Sequence, residues 1–213
     1  MTESPDIGWI ALDGPAPDAG LHGEKAALLA EAARAGVAVP PGFVLPPEHD
    51  GDLTALLDRL ERATGLGFGD AAAPLLVSVR PSACMAAGGV APAILNVGLT
   101  EAARPALAQR IGPLAAADLR RRLVHSYGAG ALGLEGEDFE YALHDALRLA
   151  GVENEADLSE EALDTLTAQY LDLIADEGEE PFPDNAAEQL AGAIAAMRVA
   201  WAGRRARTRR EAM

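Results

Sequence analysis

The residues whose types and spacing could bind an anion lie between positions 75 and 99. A short apolar run at 75–79 is bounded by prolines, which favours a buried strand over a helix. Arg80 follows at the carboxyl end of this run, and the loop beyond it contains Gly88 and Gly89. A guanidinium next to a glycine-rich loop is typical of a phosphate or oxyanion site. An ordinary strand with an exposed arginine and a flexible turn explains the same residues, so both interpretations stay open at this point.

The histidines, the cysteine and the acidic pairs do not form a catalytic or metal-binding pattern. None of the four histidines has a partner at the spacing of a metal site or a catalytic triad. Cys84 is the single cysteine, which excludes an internal disulfide and a cysteine-based zinc cluster, and we interpret it as a buried or idle thiol. The acidic pairs at 160–161 and 179–180 are typical of a helix start and a loop rather than of a magnesium site. We therefore expect no catalytic residue and no metal ligand in this chain.

The charge distribution limits the partners that the chain can have. The formal net charge is −16, which argues against a nucleic acid or an anionic membrane as the main partner. Aromatic residues make up 4% of the chain, too few for a base-stacking surface. The arginine-rich segment 198–213 is interpreted as a solvated helix end rather than as a phosphate or nucleic-acid arm. With no signal-peptide pattern and no apolar run near the membrane-spanning length of about 18 residues, the sequence predicts a cytoplasmic protein.

The order of predicted elements indicates a mixed α/β (α+β) fold that becomes helical after residue 100. Strands alternate with helices in the first part, and helical periodicity dominates the second. We predict a small α/β subdomain at 1–102, a helical subdomain at 103–185, and a helix in 186–213 that packs back on the first subdomain. Strands are predicted at 9–12, 75–79 and 94–97, an extended segment at 37–45, and helices at 26–34, 52–63, 101–111, 114–127, 137–150, 160–177 and 185–208.

Three segments resemble motifs of one known family. The sequence GEKAALLAEAARAGVAVPPGF at 23–43 resembles GGKGANLAEM followed by GLPVPPGF, and FGDAAAPLLVSVR at 68–80 resembles FGD followed by LLVSVRSGA. The sequence LNVGL at 95–99 resembles LNLGL at the same distance from the arginine. These are motifs of the pyruvate phosphate dikinase family, and the similarity extends over almost the whole chain. Shorter matches follow in the same order at 139–143, 181–183, 188–194 and 200–209.

The resemblance implies the first half of an ATP-grasp nucleotide-binding domain that carries a helical subdomain. In the family, a lysine and an arginine bind the ATP phosphates, and their motifs fall on Lys25 and Arg80. Gly23, Gly88 and Gly89 then stand where the backbone would approach a phosphate. The resemblance also implies that the acidic magnesium ligands belong to the second half of the domain. We expect that half, the phosphohistidine domain and the pyruvate-binding barrel to be absent from this chain.

The chain departs from the family motifs at the positions that would contact a phosphate. Glu24 and Ala26 replace two glycines around the lysine, so a carboxylate stands beside the cation and the backbone is less accessible. The segment 81–93 retains no hydroxyl or carboxylate beyond Ser82, whereas the family motif carries several. These replacements predict weak ATP binding and no catalysis by the chain alone.

Three functions fit these observations. The first is a non-catalytic nucleotide-binding, phosphate-binding or regulatory module. The second is one subunit of a split ATP-dependent phosphotransferase, in which a partner protein supplies the missing half and the magnesium ligands. The third is a structural oligomerisation module without nucleotide binding, in which exposed apolar surface forms an interface. We favour the first, together with formation of a homo-oligomer.

Overall fold

The computed structural model describes residues 7–46, 48–81 and 93–202, which divide into two compact units. Among these residues, unit 1 comprises 7–46, 48–66, 81 and 198–202, and unit 2 comprises 67–80 and 93–197. Helices and two small sheets together confirm the mixed α and β fold class. The predicted boundary near 100–103 and the packing of the last helix remain predictions.

Unit 1 combines one two-stranded sheet with short helices. The two strands are antiparallel and place Trp9 opposite Phe43, so that the two rings meet edge to face with centroids 5.9 Å apart. Trp9 also packs with Ile7 and Leu56 in a small buried cluster. The elements are β1 (Gly8–Ile10), α1 (Ala19–His22), α2 (Glu24–Arg34), β2 (Gly42–Val44) and α3 (Thr54–Thr64).

Local capping chemistry explains where the helices of unit 1 begin and end. Sequence periodicity predicted no helix at α1, which exists because the Asp18 side chain accepts the backbone N–H groups of residues 20 and 21. Helix α2 ends before Gly36, whose φ of 85° allows its N–H to close the last turn on the Ala33 carbonyl. Helix α3 begins at Thr54 rather than at 52, because Asp52 accepts the Thr54 N–H and precedes the helix.

Unit 2 contains the second sheet and most of the helices. Its two strands are antiparallel, pairing Val77 with Val97 and Val79 with Ile94 across an irregularity in register. Helix α4 begins at Arg104 rather than at 101, because the Thr100 side chain accepts the Ala103 N–H and the intervening residues form a turn. The elements are β3 (Val77–Val79), β4 (Ile94–Val97), α4 (Arg104–Ile111), α5 (Pro113–Gly130), α6 (Gly136–Ala150), α7 (Glu160–Glu177) and α8 (Ala186–Ala202), and α8 begins in this unit.

The core of unit 2 contains a pair of fully buried aromatic rings. The rings of Phe139 in α6 and Tyr170 in α7 are both inaccessible to solvent and pack edge to face, with centroids 5.0 Å apart. The imidazole of His125 in α5 lies 5.1 Å from the first ring and 5.6 Å from the second. One aromatic cluster therefore joins three helices that are separated in sequence.

Two buried polar side chains fix the turn that follows β4. The Gln189 side chain accepts the Gly98 N–H at 2.9 Å and donates to the Pro183 carbonyl at 2.9 Å. The guanidinium of Arg120 donates to the Leu99 carbonyl at 2.6 Å and to the Asp184 carboxylate at 3.2 Å. Because buried polar groups are costly without partners, these bonds define one arrangement of the turn. The β3–β4 sheet is therefore anchored to helices α5 and α8. Arg80 directly follows β3 in this sheet.

Candidate phosphate-binding site

Lys25 lies in the first turn of α2 with its side chain exposed to solvent. Gly23 precedes this helix as its N-cap, ends α1 as its C-cap, and is itself buried. Its φ of 85° and ψ of 152° belong to a region that glycine adopts most readily, which explains the residue type at this junction. The N-terminus of an α-helix carries partial positive charge, so the Lys25 ammonium and the helix dipole attract the same anion.

The two residues that replace family glycines have structural roles. The side chain of Ala26 is only 3% exposed and packs with Ile10 and Ala30 in a small core cluster. Glu24 is exposed in the first helical turn, where an acidic side chain is favourable toward the helix dipole. Both replacements favour the helix, while the Glu24 carboxylate opposes an incoming phosphate.

Arg80 directly follows β3, as the sequence analysis predicted, and its side chain is exposed. The strand is shorter and less buried than predicted: it spans 77–79, with Ser78 exposed and its two valines half-buried. Leu75 is buried but lies before the strand. The alternation of exposed and half-buried side chains is typical of a two-stranded antiparallel sheet with one solvated face, which replaces the fully buried strand that we expected.

The predicted site residues do not all fall within one described unit. Lys25 and Gly23 belong to unit 1, and Arg80 belongs to unit 2. Gly88 and Gly89 lie outside the described residues, as does Cys84. Binding of one phosphate group by Lys25 and Arg80 together therefore remains a prediction.

Two of the histidines have structural partners. The Nδ1 atom of His22 accepts the Asp18 N–H at 3.0 Å, and the residue is 7% exposed. Burial lowers the pKa of His125, and the neighbouring charge of Arg121 lowers it further. Within residues 7–46, 48–81 and 93–202, no group of three or more His, Cys, Asp or Glu side chains could hold a metal ion.

Acidic groups in unit 2 pair with arginines instead of forming an open site. Burial raises the pKa of Asp118, but hydrogen bonds from Arg122 at 2.7 Å and Arg121 at 2.8 Å outweigh that effect and hold it below its usual value. The Asp164 carboxylate accepts the Arg104 guanidinium at 2.5 and 2.6 Å. These carboxylates are committed to ion pairs that join helices or adjacent turns, so they support the fold rather than a reaction.

Sequence reasoning did not identify the residues that anchor the β3–β4 sheet. Arg120 belongs to three consecutive arginines in α5 and is 3% exposed, whereas the side chain of its neighbour Arg122 is 48% exposed. Helical periodicity distinguishes the two buried arginines, Arg120 and Arg121, from the solvated Arg122, since Leu123 and Val124 continue the buried face. Gln189 carries no comparable signal, because one of its partners, Gly98, lies 91 residues away and the other is a backbone carbonyl.

Comparison with known proteins shows which proteins this chain is similar to. No family model matches it. The chain is 32% identical to pyruvate, phosphate dikinase 2 of Zea mays over 202 residues, which cover 88% of this chain and 23% of the relative. It is 32% identical to pyruvate, phosphate dikinase of Rhizobium meliloti (strain 1021) over 214 residues, which cover 93% of this chain and 24% of the relative. It is also 32% identical to pyruvate, phosphate dikinase 1, chloroplastic, of Oryza sativa subsp. japonica, where the match covers 87% of this chain and 21% of the relative.

These relatives share one name and match in one region. The chain is homologous to the N-terminal part of the pyruvate, phosphate dikinases, which confirms the resemblance seen in the sequence motifs. It spans less than a quarter of the length of these three relatives. Among the described residues, every helix is too short or too polar to cross a membrane.

Proposed function

We propose that this chain is a nucleotide- or phosphate-binding module of the pyruvate phosphate dikinase type that acts in binding or regulation and does not catalyse phosphoryl transfer alone. The placement of Lys25 carries the proposal: an exposed ammonium lies in the first helical turn directly after a buried glycine with positive φ. Homology to the dikinases supports the assignment of this lysine to phosphate. Arg80 at the end of β3 supplies the second cation of the proposed site.

The residues around these cations argue for weak binding. Ala26 packs its methyl group in the core, and as an alanine it lacks the wider range of backbone conformations that the glycine of the family motif allows. The Glu24 carboxylate reduces the local positive potential. Affinity for ATP is therefore expected to be low, with binding dominated by charge and sensitive to salt.

Calorimetric titration with ATP, ADP and AMP, with and without magnesium, tests the proposal. We expect weak binding that strengthens with phosphate number and is abolished in Lys25→Ala and Arg80→Ala. Arg62→Ala provides the control, because Arg62 is an exposed cation in the last turn of α3 and outside the proposed site. Absence of binding to the unsubstituted chain, or equal loss in the control, would reject the proposal.

The composition offers an independent measurement. Lys25 is the only lysine in the chain, so an amine-acetylating reagent modifies this side chain and the N-terminus alone. We expect ATP to slow acetylation of Lys25, as measured by peptide mass spectrometry, and to leave the N-terminal rate unchanged. Equal slowing at both amines would indicate a general effect of ATP instead of a site.

The retention of both cations favours one alternative, a subunit of a split ATP-dependent phosphotransferase. In that case a second protein supplies the acidic magnesium ligands, and Lys25 and Arg80 contribute to a shared site. Adding the remaining segments of a dikinase as a separate protein would then restore ATP-dependent phosphoryl transfer, and Arg80→Ala would abolish it. No restored activity together with direct nucleotide binding would favour the binding module.

Exposed apolar side chains support self-association as a companion property. In unit 1, Leu21 is 50% exposed, Leu28 is 63% exposed and Val37 is 58% exposed. Clusters of exposed apolar side chains commonly mark protein interfaces. We expect sedimentation to detect a homo-oligomer that Leu28→Glu dissociates, whereas a strictly monomeric chain would contradict self-association.

A further inference from the structure

Unit 1 contains a cavity at the carboxyl end of α2, whereas Lys25 lies at the amino end of the same helix. Its volume is about 580 Å³, within the range of roughly 300–1,000 Å³ that is typical of small-molecule sites. Most of the residues that line it are apolar, including Ala30, Ala33 and Val39, and the charged residues Arg34 and Asp13 line it as well. A concave apolar surface with a few polar groups is the usual composition of a site for a small organic ligand.

The lining carries one cationic residue, Arg34, and one acidic residue, Asp13. A second cation lies beside them, because the Arg59 guanidinium donates to the Asp13 carbonyl and lies 3.7 Å from the centre of the Trp9 ring. Two cations against one carboxylate favour an anion. Arg34 is exposed in the last turn of α2 and forms no ion pair with another described residue. The carbonyls of the last turn are already used, since Ala33 accepts the Gly36 N–H at 3.1 Å and Ala32 accepts the Val37 N–H at 3.0 Å. The Arg34 guanidinium is therefore more available to a ligand than the carbonyl groups at the end of α2 are. A ligand with a negative charge can pair with it.

The lining also includes an indole that can report on a ligand. Trp9 lines the cavity and is 2% exposed. A Cβ added to Gly14, which also lines the cavity, would lie 2.6 Å from Trp9 Cδ1, so the Gly14 backbone packs directly on the indole. The neighbouring Ala11 has a φ of 53°, a costly conformation for alanine that recurs at ligand sites.

We propose that this cavity binds a small organic anion, a carboxylate or sulfonate attached to an aromatic or branched apolar body. The apolar body packs against the alanine-rich wall, and the anionic group pairs with Arg34. The net charge of −16 opposes unspecific binding of anions elsewhere on the surface, so an anion that binds requires a local cation. The site lies on other residues than Lys25 and Arg80, and its occupancy is independent of the proposed nucleotide site.

Two fluorescent probes with the same aromatic body test this charge preference. The anionic probe is 1-anilinonaphthalene-8-sulfonate, and N-phenyl-1-naphthylamine is its counterpart without the sulfonate. The titration is performed in a Trp201→Phe chain, so that Trp9 is the remaining tryptophan and reports binding by energy transfer to the probe. We expect one-to-one binding of the anionic probe with quenching of Trp9. No quenching of Trp9 by the anionic probe would overturn the proposal.

Matched variants then separate charge from shape. Arg34→Gln is expected to weaken the anionic probe roughly tenfold and to leave the neutral probe unchanged, because a charge-assisted contact is removed. Arg62→Gln removes an exposed arginine from the last turn of α3, outside the cavity lining, and should weaken neither probe. Ala33→Leu fills the cavity and should weaken both. The proposal would be overturned if Arg34→Gln and Arg62→Gln weakened binding equally. It would also be overturned if Ala33→Leu bound both probes as before while circular dichroism showed native helicity.

Discussion

The two units differ in how completely they bury and pair their side chains. Unit 2 buries Phe139, Tyr170 and Leu166 completely, and it gives Arg120 and Gln189 specific partners. Unit 1 has smaller clusters of buried residues, whereas large apolar side chains are exposed on both units. The proposed nucleotide-binding lysine and the proposed anion cavity both lie in the less extensively packed unit. Because local opening is easier where fewer apolar contacts are buried, we expect unit 1 to open locally more readily than unit 2.

The largest expected effect tests the core of unit 2. Phe139→Ala removes a fully buried ring that contacts Tyr170 and is expected to lower the free energy of unfolding by about 3–5 kcal/mol. Leu149→Ala on the same helix removes a side chain that is 74% exposed and should cost less than about 0.5 kcal/mol. Urea unfolding followed by circular dichroism measures both. Similar losses would contradict the assignment of stability to the buried cluster.

Removal of the buried amide tests the anchoring of the β3–β4 sheet. Gln189→Ala leaves the Gly98 N–H and the Pro183 carbonyl without their partner, and we expect a loss of about 1–3 kcal/mol in the free energy of unfolding. Hydrogen exchange at Gly98 should accelerate in the same variant. Glu188→Ala changes an exposed neighbour and provides the control. Unchanged exchange at Gly98 would show that the amide does not anchor this turn.

A glycine in α8 tests how tightly unit 2 is packed. Replacing a mid-helix glycine by alanine normally stabilises a helix by about 1 kcal/mol. At Gly192, however, the added Cβ would overlap the Tyr127 hydroxyl, so Gly192→Ala is expected to destabilise the chain by about 1–2 kcal/mol. Combining it with Tyr127→Phe should recover part of that loss, as measured in a double-mutant cycle by urea unfolding. A stabilising Gly192→Ala would show that the contact yields without cost.

The pH dependence should also come from unit 2. Burial lowers the pKa of His125 in the folded chain, so the unfolded chain binds a proton more readily. Stability is therefore expected to fall as the pH decreases below the unfolded histidine pKa of about 6.5. His125→Phe should flatten this dependence between pH 7 and 5, measured as urea midpoints, whereas His144→Gln at an exposed position should not. An unchanged slope in His125→Phe would contradict this origin.

The smallest effect is expected in unit 1. Lys25→Ala removes an exposed side chain that forms no ion pair with a described residue, so the free energy of unfolding should change by less than about 0.5 kcal/mol. The same substitution is expected to abolish nucleotide binding. A large loss of stability would indicate that Lys25 supports the fold, and the contrast between the two units would then be weaker.

The sequence pattern predicted the bounds of those helices whose apolar residues recur with helical periodicity. Helices α6 and α7 begin and end within a residue of their predicted bounds, because capping residues and an apolar stripe determine them. Helix α1 was not predicted, since four residues are too few for a periodic signal and its formation depends on the Asp18 cap. The full burial predicted at 75–79 was wrong, because burial of a strand depends on its partner strand and on neighbouring helices.

Local chain order predicted the elements that carry the two proposed cations, whereas their role in binding phosphate stays a prediction. Arg80 follows a strand, as predicted, and Lys25 lies within α2, which begins at Glu24 rather than at 26. Arg120 and Gln189 were missed because their partners lie between six and 91 residues away and only the folded chain brings them together. The cavity beside Trp9 was also missed, because no sequence period reports space between side chains.

The buried methyl group of Ala26 links the stability of α2 to the affinity of the proposed site for phosphate. A glycine at that position would leave the backbone open but would weaken the helix by about 0.5–1 kcal/mol. Alanine reverses both effects at once, because the same carbon that fills the space beside Ile10 also removes the conformational freedom with which a glycine backbone adapts to a phosphate. A gain in helix stability and a decline in phosphate affinity can thus arise from a single substitution, without any separate selection against the ligand.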